Sequence, residues 1–181
     1  MDNQNLQAVR DILKAAHFAA FRHSGQRRKG AAAEPYVNHL LEVAELVAGA
    51  LSEPDPNLLM AALLHDTVED VGVTKEELIG TFGEDVANLV MEVTDDKSLP
   101  KKERKRLQVV HAPHKSVRAQ LIKLADKISN LRAVLASPPE DWSVQRQREY
   151  FEWARQVVDA LSAPSPSLKA EFERVYARFP W

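Results

Sequence analysis

Apolar positions along the chain recur mainly at the three-to-four spacing of helices, and this pattern predicts an all-α protein. Leu6, Val9, Leu13, Ala16 and Ala20 fall on one face of a first helix. Leu40, Val43, Ala44, Val47 and Leu51 repeat the pattern. Asp55-Pro56 is a start signal, a capping side chain followed by proline at the first helical position. The helix it opens, Leu58 to His65, is almost wholly apolar and is expected to be central and buried. Thr74 and Glu77 form a capping box for a short helix ending near Gly80. Gly83 to Val93 follows, with Val86, Leu89, Val90 and Val93 inward, and Ser98-Leu99-Pro100 opens another helix. Val117 to Leu135 is longer, with Leu121, Leu124, Ile128, Leu131 and Leu135 inward, and Ser137-Pro138-Pro139 ends it. A helix from Asp141 or Ser143 to Leu161 turns Phe151, Ala154 and Val158 inward. Ala163-Pro164-Ser165-Pro166 is a short linker to a last helix over Ser167 to Arg178. No stretch alternates with the period of a strand. The expected architecture is a single-domain bundle of about eight helices. Residues 1–163 form its main unit, and residues 164–181 are a linker and a C-terminal helix packed on the same domain.

Composition narrows the chemistry. The 181 residues fit one domain, and 45% hydrophobic residues suffice for a core. A formal net charge of -2 gives no global field toward nucleic acid or anionic lipid, so any preference for anions must be local. The absence of cysteine removes disulfides, thiolate zinc sites and a cysteine nucleophile. The N-terminal residues are polar, with no secretory apolar segment, and no apolar run approaches the ~20 residues that span a bilayer. A cytoplasmic protein without nucleic-acid or membrane partners is expected. Gly-rich phosphate loops, a serine nucleophile elbow and the HExxH zinc pattern are all absent.

What stands out is His65-Asp66-Thr67-Val68-Glu69-Asp70, directly after the apolar run Leu58 to Leu64. Charged groups at the end of a buried helix are costly unless paired or metal-bound. If the helix continues one more turn, Glu69 lies over His65 and Asp70 over Asp66. The hexapeptide alone fits a metal site or the solvated exit of a helix. His39, at the start of an apolar helix, and Asp126, inside Leu121 to Ile128, are two further candidates. By itself Asp126 also fits an ion pair with Lys123 or Arg132. Lys101-Lys102-Glu103-Arg104-Lys105-Arg106 holds five basic residues and reads as a solvated helix face or as a phosphate clamp. Tyr150 is placed to stack on a sugar or base, or to fill the core. His17, His23, His111 and His114 read as core or surface histidines.

The order His…His-Asp…Asp resembles the signature of the HD metal-dependent phosphohydrolases. Ala16-His17-Phe18, Gly25 to Lys29, Pro35 to His39, Ala62 to Asp70, Phe82-Gly83 and Lys123 to Arg132 are similar to the hydrolase domain of the RelA/SpoT alarmone enzymes. Val93 to Lys97 and Glu149 to Ala154 resemble the stand-alone small alarmone hydrolases of the metazoan SpoT-homologue type. So does the length of Gly30 to Glu34, which is longer than in the bifunctional enzymes. The resemblance runs from about residue 8 to residue 161. It implies an HD-type helical bundle and removal of the 3′-pyrophosphate from guanosine tetra- or pentaphosphate, dependent on one Mn²⁺. The ligands carried over are His39, His65, Asp66 and Asp126, with Glu69 and Asp70 as the catalytic acidic pair. Arg28 and Lys29 match the base pocket, and Asn130 and Tyr150 match nucleotide-contacting positions. Lys101, Arg104 and Lys105 are assigned to the distal diphosphate on charge alone.

The donor chemistry points the same way. Two imidazoles and two carboxylates without sulfur suit octahedral Mn²⁺, Fe²⁺ or Co²⁺, whereas structural zinc favours thiolate. Another nucleotide, an adenine alarmone or a 2′- or 3′-phosphorylated dinucleotide such as NADPH, would use the same ligands. The oligomeric state is left open, with a homodimer as one option.

Overall fold

The computed structural model describes residues 3–181, and among these it holds ten α-helices, one 3₁₀ turn and no strand. The helices are α1 (Asn3–Arg22), α2 (Val37–Gly49), α3 (Pro56–Leu64), α4 (Thr67–Val71), α5 (Lys75–Phe82), α6 (Glu84–Val93), α7 (Lys101–His111), α8 (Val117–Ala136), α9 (Val144–Asp159) and α10 (Pro166–Tyr176). The bundle is built around α3 and α8. α3 lies between α1, α2 and α6, while α8 packs on α2, α6, α9 and α10.

Local chemistry sets the helix starts. Asp55 Oδ1 accepts from the Leu58 amide at 2.9 Å, with Pro56 at the first position. Ser116 and Ser143 cap α8 and α9 in the same way. Thr74 Oγ1 accepts from the Glu77 amide at 3.1 Å, but the Glu77 carboxylate turns away to Arg22, so only half of the capping box forms. That helix ends at Phe82, one half-turn beyond the expected Gly80.

Two expectations are corrected. The helix through Leu58 to His65 does not continue; it stops, and α4 starts afresh at Thr67. Side chains take over the last carbonyls of α3: His65 Nδ1 bonds Ala62 O at 2.8 Å, and Thr67 Oγ1 donates to Leu64 O at 2.6 Å. Gly72 then closes α4 in the left-handed region, at φ 72°. The second correction concerns α1. Its packed face is Ile12, Ala15, Ala16, Phe18 and Ala19, whereas Leu6, Val9 and Leu13 are exposed. Small residues allow α1 to approach α3 closely, and this outweighs the larger apolar side chains on the other face.

The inward residues expected on α6, α8 and α9 are buried, with Leu135 only partly so. α10 seats Leu168, Phe172 and Val175 in the same core. No helix among the described residues is long and apolar enough to cross a membrane.

Candidate functional site

The break between α3 and α4 places His65 and Asp66 in a turn at the floor of a cleft of about 650 Å³. The first turn of α2 brings His39 to the same point, and the middle of α8 brings Asp126. Asp66 Oδ2 lies 3.5 Å from His39 Nε2 and 3.1 Å from His65 Nε2. Asp126 Oδ1 lies 3.4 Å and 4.0 Å from the same two nitrogens. The donor atoms of His39, His65 and Asp126 all lie within 4.8 Å of one another, as a metal cluster requires. Asp126 pairs with neither Lys123 nor Arg132. Its oxygens accept from Lys127 Nζ at 2.8 Å and Asn130 Nδ2 at 2.5 Å, while Lys123 faces Asp95 and Arg132 faces Glu42.

Hydrogen bonding decides which ring nitrogens are available. A carbonyl only accepts, so the bond to Ala62 O puts the proton of a neutral His65 on Nδ1. Its Nε2 then offers a lone pair to the carboxylates, is buried and has no hydrogen-bond partner. Two lone pairs facing each other across 3.1 Å repel unless a cation or a proton lies between them. Burial opposes charge on His65, yet Asp66 and Asp126 outweigh it and push its pKa up to about 9. Burial likewise opposes ionisation of Asp66, but the His65 and His39 imidazoles hold its carboxyl well below the usual range. The cluster is therefore electronegative enough to hold a cation at its centre, a proton on His65 Nε2 or a divalent ion in that proton's place, and its nitrogen and oxygen donors fit a divalent ion.

Glu69 and Asp70 face the cleft from α4. The Glu69 oxygens meet Arg104 Nη1 at 3.3 Å and the Asp95 amide at 3.4 Å. Burial first, then Asp95 and Asp66, raises its pKa. Asp70 accepts from Gln26 Nε2 at 2.8 Å and pairs with Lys97 Nζ at 2.7 Å.

The opposite wall is cationic and aromatic. Arg28 and Lys29 come from the α1–α2 loop, which is stitched by an antiparallel bridge between Arg27 and Pro35. Arg28 donates to Asn130 Oδ1 at 3.0 Å and lies over the Tyr36 ring at 5.7 Å. α7 brings Lys101, Arg104 and Lys105. Arg104 is committed to Glu69, whereas Arg28, Lys29, Lys101 and Lys105 make no ion pair among the described residues. Burial lowers the Lys101 pKa, and Lys29 and Arg146 lower it further. Lys105 is lowered by burial and then by Lys101 and Lys127. Its Nζ lies over Trp153 at 4.5 Å and Tyr150 at 5.3 Å. Burial pushes the Tyr150 hydroxyl up to about 12, so it keeps its proton at neutral pH.

The residues assigned to the site from the sequence all line this cleft except His39, which is 3% exposed, while Lys102, Glu103 and Arg106 of the basic run do not line it. Sequence reasoning missed Lys97, Lys123, Lys127 and Asp95, which line it as well. The available signal was two buried lysines inside the apolar stretch Leu121 to Ile128. His23 is buried, stacks on Tyr36 and bonds Gln26, and so belongs to the frame of the site.

With this geometry established, comparison with known proteins is direct. Residues 15–154 match the HD domain family, and the chain belongs to it. Guanosine-3′,5′-bis(diphosphate) 3′-pyrophosphohydrolase MESH1 of Xenopus tropicalis is 52% identical over 165 residues, covering 91% of this chain and 92% of its own. The human protein of the same name is 50% identical with the same coverage. The solved structure of a metazoan ortholog of SpoT, described as hydrolysing ppGpp and acting in starvation responses, superimposes with a TM-score of 0.89. It is 44% identical, covering 93% of this chain and 94% of that one.

Proposed function

We propose that this protein removes the 3′-pyrophosphate of guanosine tetra- or pentaphosphate, yielding GDP or GTP and pyrophosphate. One Mn²⁺ would be held by His39, His65, Asp66 and Asp126. The relatives named for this reaction support the reading over nearly the whole chain. The observation that carries it is one cleft in which the imidazole–carboxylate cluster faces unpaired cations. Burial, then Lys29, Arg146 and Arg104, lowers the Lys101 pKa, and burial, then Lys101 and Lys127, lowers that of Lys105; a polyanion relieves this like-charge repulsion on binding. A net charge of -2 makes such a local patch the source of attraction.

A divalent ion held by the cluster supplies Lewis-acid activation of water and offsets charge on phosphoryl oxygens. Water oxygen bonds to the phosphorus nearest the ribose, the bond from that phosphorus to O3′ breaks, and O3′ takes up a proton. Glu69, with a raised pKa, accepts the proton of the attacking water. Asp70 pins Gln26 and Lys97 to the cleft wall. Arg28 and Asn130, bonded to each other, present a flat donor surface to the base, and Tyr150 packs beside the sugar.

The cofactor half of this reading is tested by chelation. Exhaustive EDTA treatment, checked by elemental analysis, abolishes activity, and Mn²⁺ restores it better than Mg²⁺ or Zn²⁺. Full activity in verified metal-free protein contradicts the reading.

A further inference from the structure

Ser129 lies one turn after Asp126 on α8 and is 1% exposed. Its Oγ is 2.8 Å from His39 Nδ1 and 2.6 Å from Glu42 Oε2. A hydroxyl has one proton to give. Burial opposes ionisation of Glu42, but the bonds from Ser129 and Arg132 outweigh it and hold its carboxyl below the usual range. An ionised carboxylate only accepts, so the Ser129 proton goes to Glu42. Ser129 Oγ must then accept from His39 Nδ1–H, and in a neutral imidazole this tautomer turns the free Nε2 toward Asp66 and Asp126. The chain of bonds continues outward. Glu42 Oε1 accepts from Arg132 Nη1 at 2.7 Å, and Arg132 Nη2 donates to Glu171 Oε1 at 2.6 Å. Glu171 belongs to α10, beyond the residues matched by the HD domain family.

The two imidazoles are thus fixed by different means. His65 is oriented by the carbonyl of its own helix, three residues back. His39 is oriented by a relay that crosses α8, α2 and α10. We propose that Ser129, Glu42 and Arg132 are positioning residues that set the His39 tautomer and ring orientation for metal binding, with Glu171 anchoring the relay from α10. This rests on the reading of His39 as a metal ligand. Partners that orient a ligating imidazole through its second nitrogen contribute to metal affinity without touching the ion. The same bonds also tie three helices together, so affinity has to be separated from stability.

The test titrates metal-free full-length protein with Mn²⁺ by calorimetry and records the thermal midpoint of each metal-free sample. Ser129→Ala is expected to lose about 10–100-fold in Mn²⁺ affinity. Glu42→Gln loses less, and Glu171→Gln least, in the same direction. Leu78→Ala, a core truncation on α5 away from the relay, lowers the midpoint and leaves affinity unchanged. The proposal is overturned if Ser129→Ala and Glu42→Gln bind Mn²⁺ as tightly as the unsubstituted protein. It is equally overturned if affinity follows the midpoint across all variants, Leu78→Ala included. Failure of the unsubstituted protein to bind Mn²⁺ overturns the reading of the site itself, and the relay with it.

Discussion

The Tyr36 hydroxyl donates to Asp66 Oδ2 at 2.6 Å, while the face of its ring stacks on His23 and its edge meets His39. Burial first, then Asp66 and Asp70, raises the phenol pKa far above its ordinary value, so the proton stays on Tyr36. A fixed donor on Asp66 holds the carboxylate in the plane that serves both imidazoles. Tyr36→Phe keeps the ring and removes the donor. It is expected to weaken Mn²⁺ binding by about 10–100-fold, measured by calorimetry. Unchanged affinity would show that Asp66 is held without it.

Glu69 is surrounded by Asp95, Asp70 and Asp66 on one side and by Arg104, Lys97 and Lys123 on the other. A general base works ionised, so the rate falls as pH drops through its pKa. Because that pKa is raised, the fall comes at higher pH than for an ordinary glutamate. Glu69→Gln keeps the shape and removes the base. Turnover is expected to fall ~10²–10⁴-fold. Mn²⁺ and nucleotide binding persist, and the acid limb disappears from the pH–rate profile. Loss of Mn²⁺ in this variant, as expected for Asp66→Asn, would make Glu69 a ligand instead.

Gly30 fixes the loop that carries Arg28 and Lys29. A Cβ at this position would lie 2.1 Å from Ser137 O, a backbone atom at the end of α8, so the loop must move. The neighbouring Ala32 amide already bonds Ser137 Oγ at 2.9 Å. Gly30→Ala should therefore lower kcat/KM on the order of 10–100-fold through misplacement of the base pocket. Mn²⁺ affinity should stay at its original value. Steady-state kinetics and calorimetry on the same sample check both halves.

The periodic segments were readable in the chain because each buries one face in a shared core. Val86, Leu89, Val90 and Val93 on α6 are an example, as are Phe151, Ala154 and Val158 on α9. The pattern misled at α1. There the face that packs is Ile12, Ala15, Ala16, Phe18 and Ala19 rather than Leu6, Val9 and Leu13, a choice made by the packing of α1 on α3, which periodicity does not encode. The end of α3 near His65 was legible, but nothing in an apolar run announces that His65 and Thr67 will turn back onto their own carbonyls.

The candidate site was legible where residue type and cost of burial coincide. Asp126 inside Leu121 to Ile128 is such a case. Its true partners, Lys127 and Asn130, lie one and four residues on, whereas the expected Lys123 and Arg132 are committed to other carboxylates. The relay from His39 to Glu171 was not legible. Its bonded pairs are separated by up to 90 residues and become neighbours only when α2, α8 and α10 pack together.

The most direct measurement is product analysis with guanosine tetraphosphate as sole substrate, in metal-free protein and after addition of Mn²⁺. The geometry predicts no turnover without metal. With Mn²⁺ it predicts one pyrophosphate and one GDP per substrate consumed, with no orthophosphate. Release of orthophosphate alone, or an intact guanosine tetraphosphate beside rapid turnover of an adenine alarmone or NADPH, would contradict it.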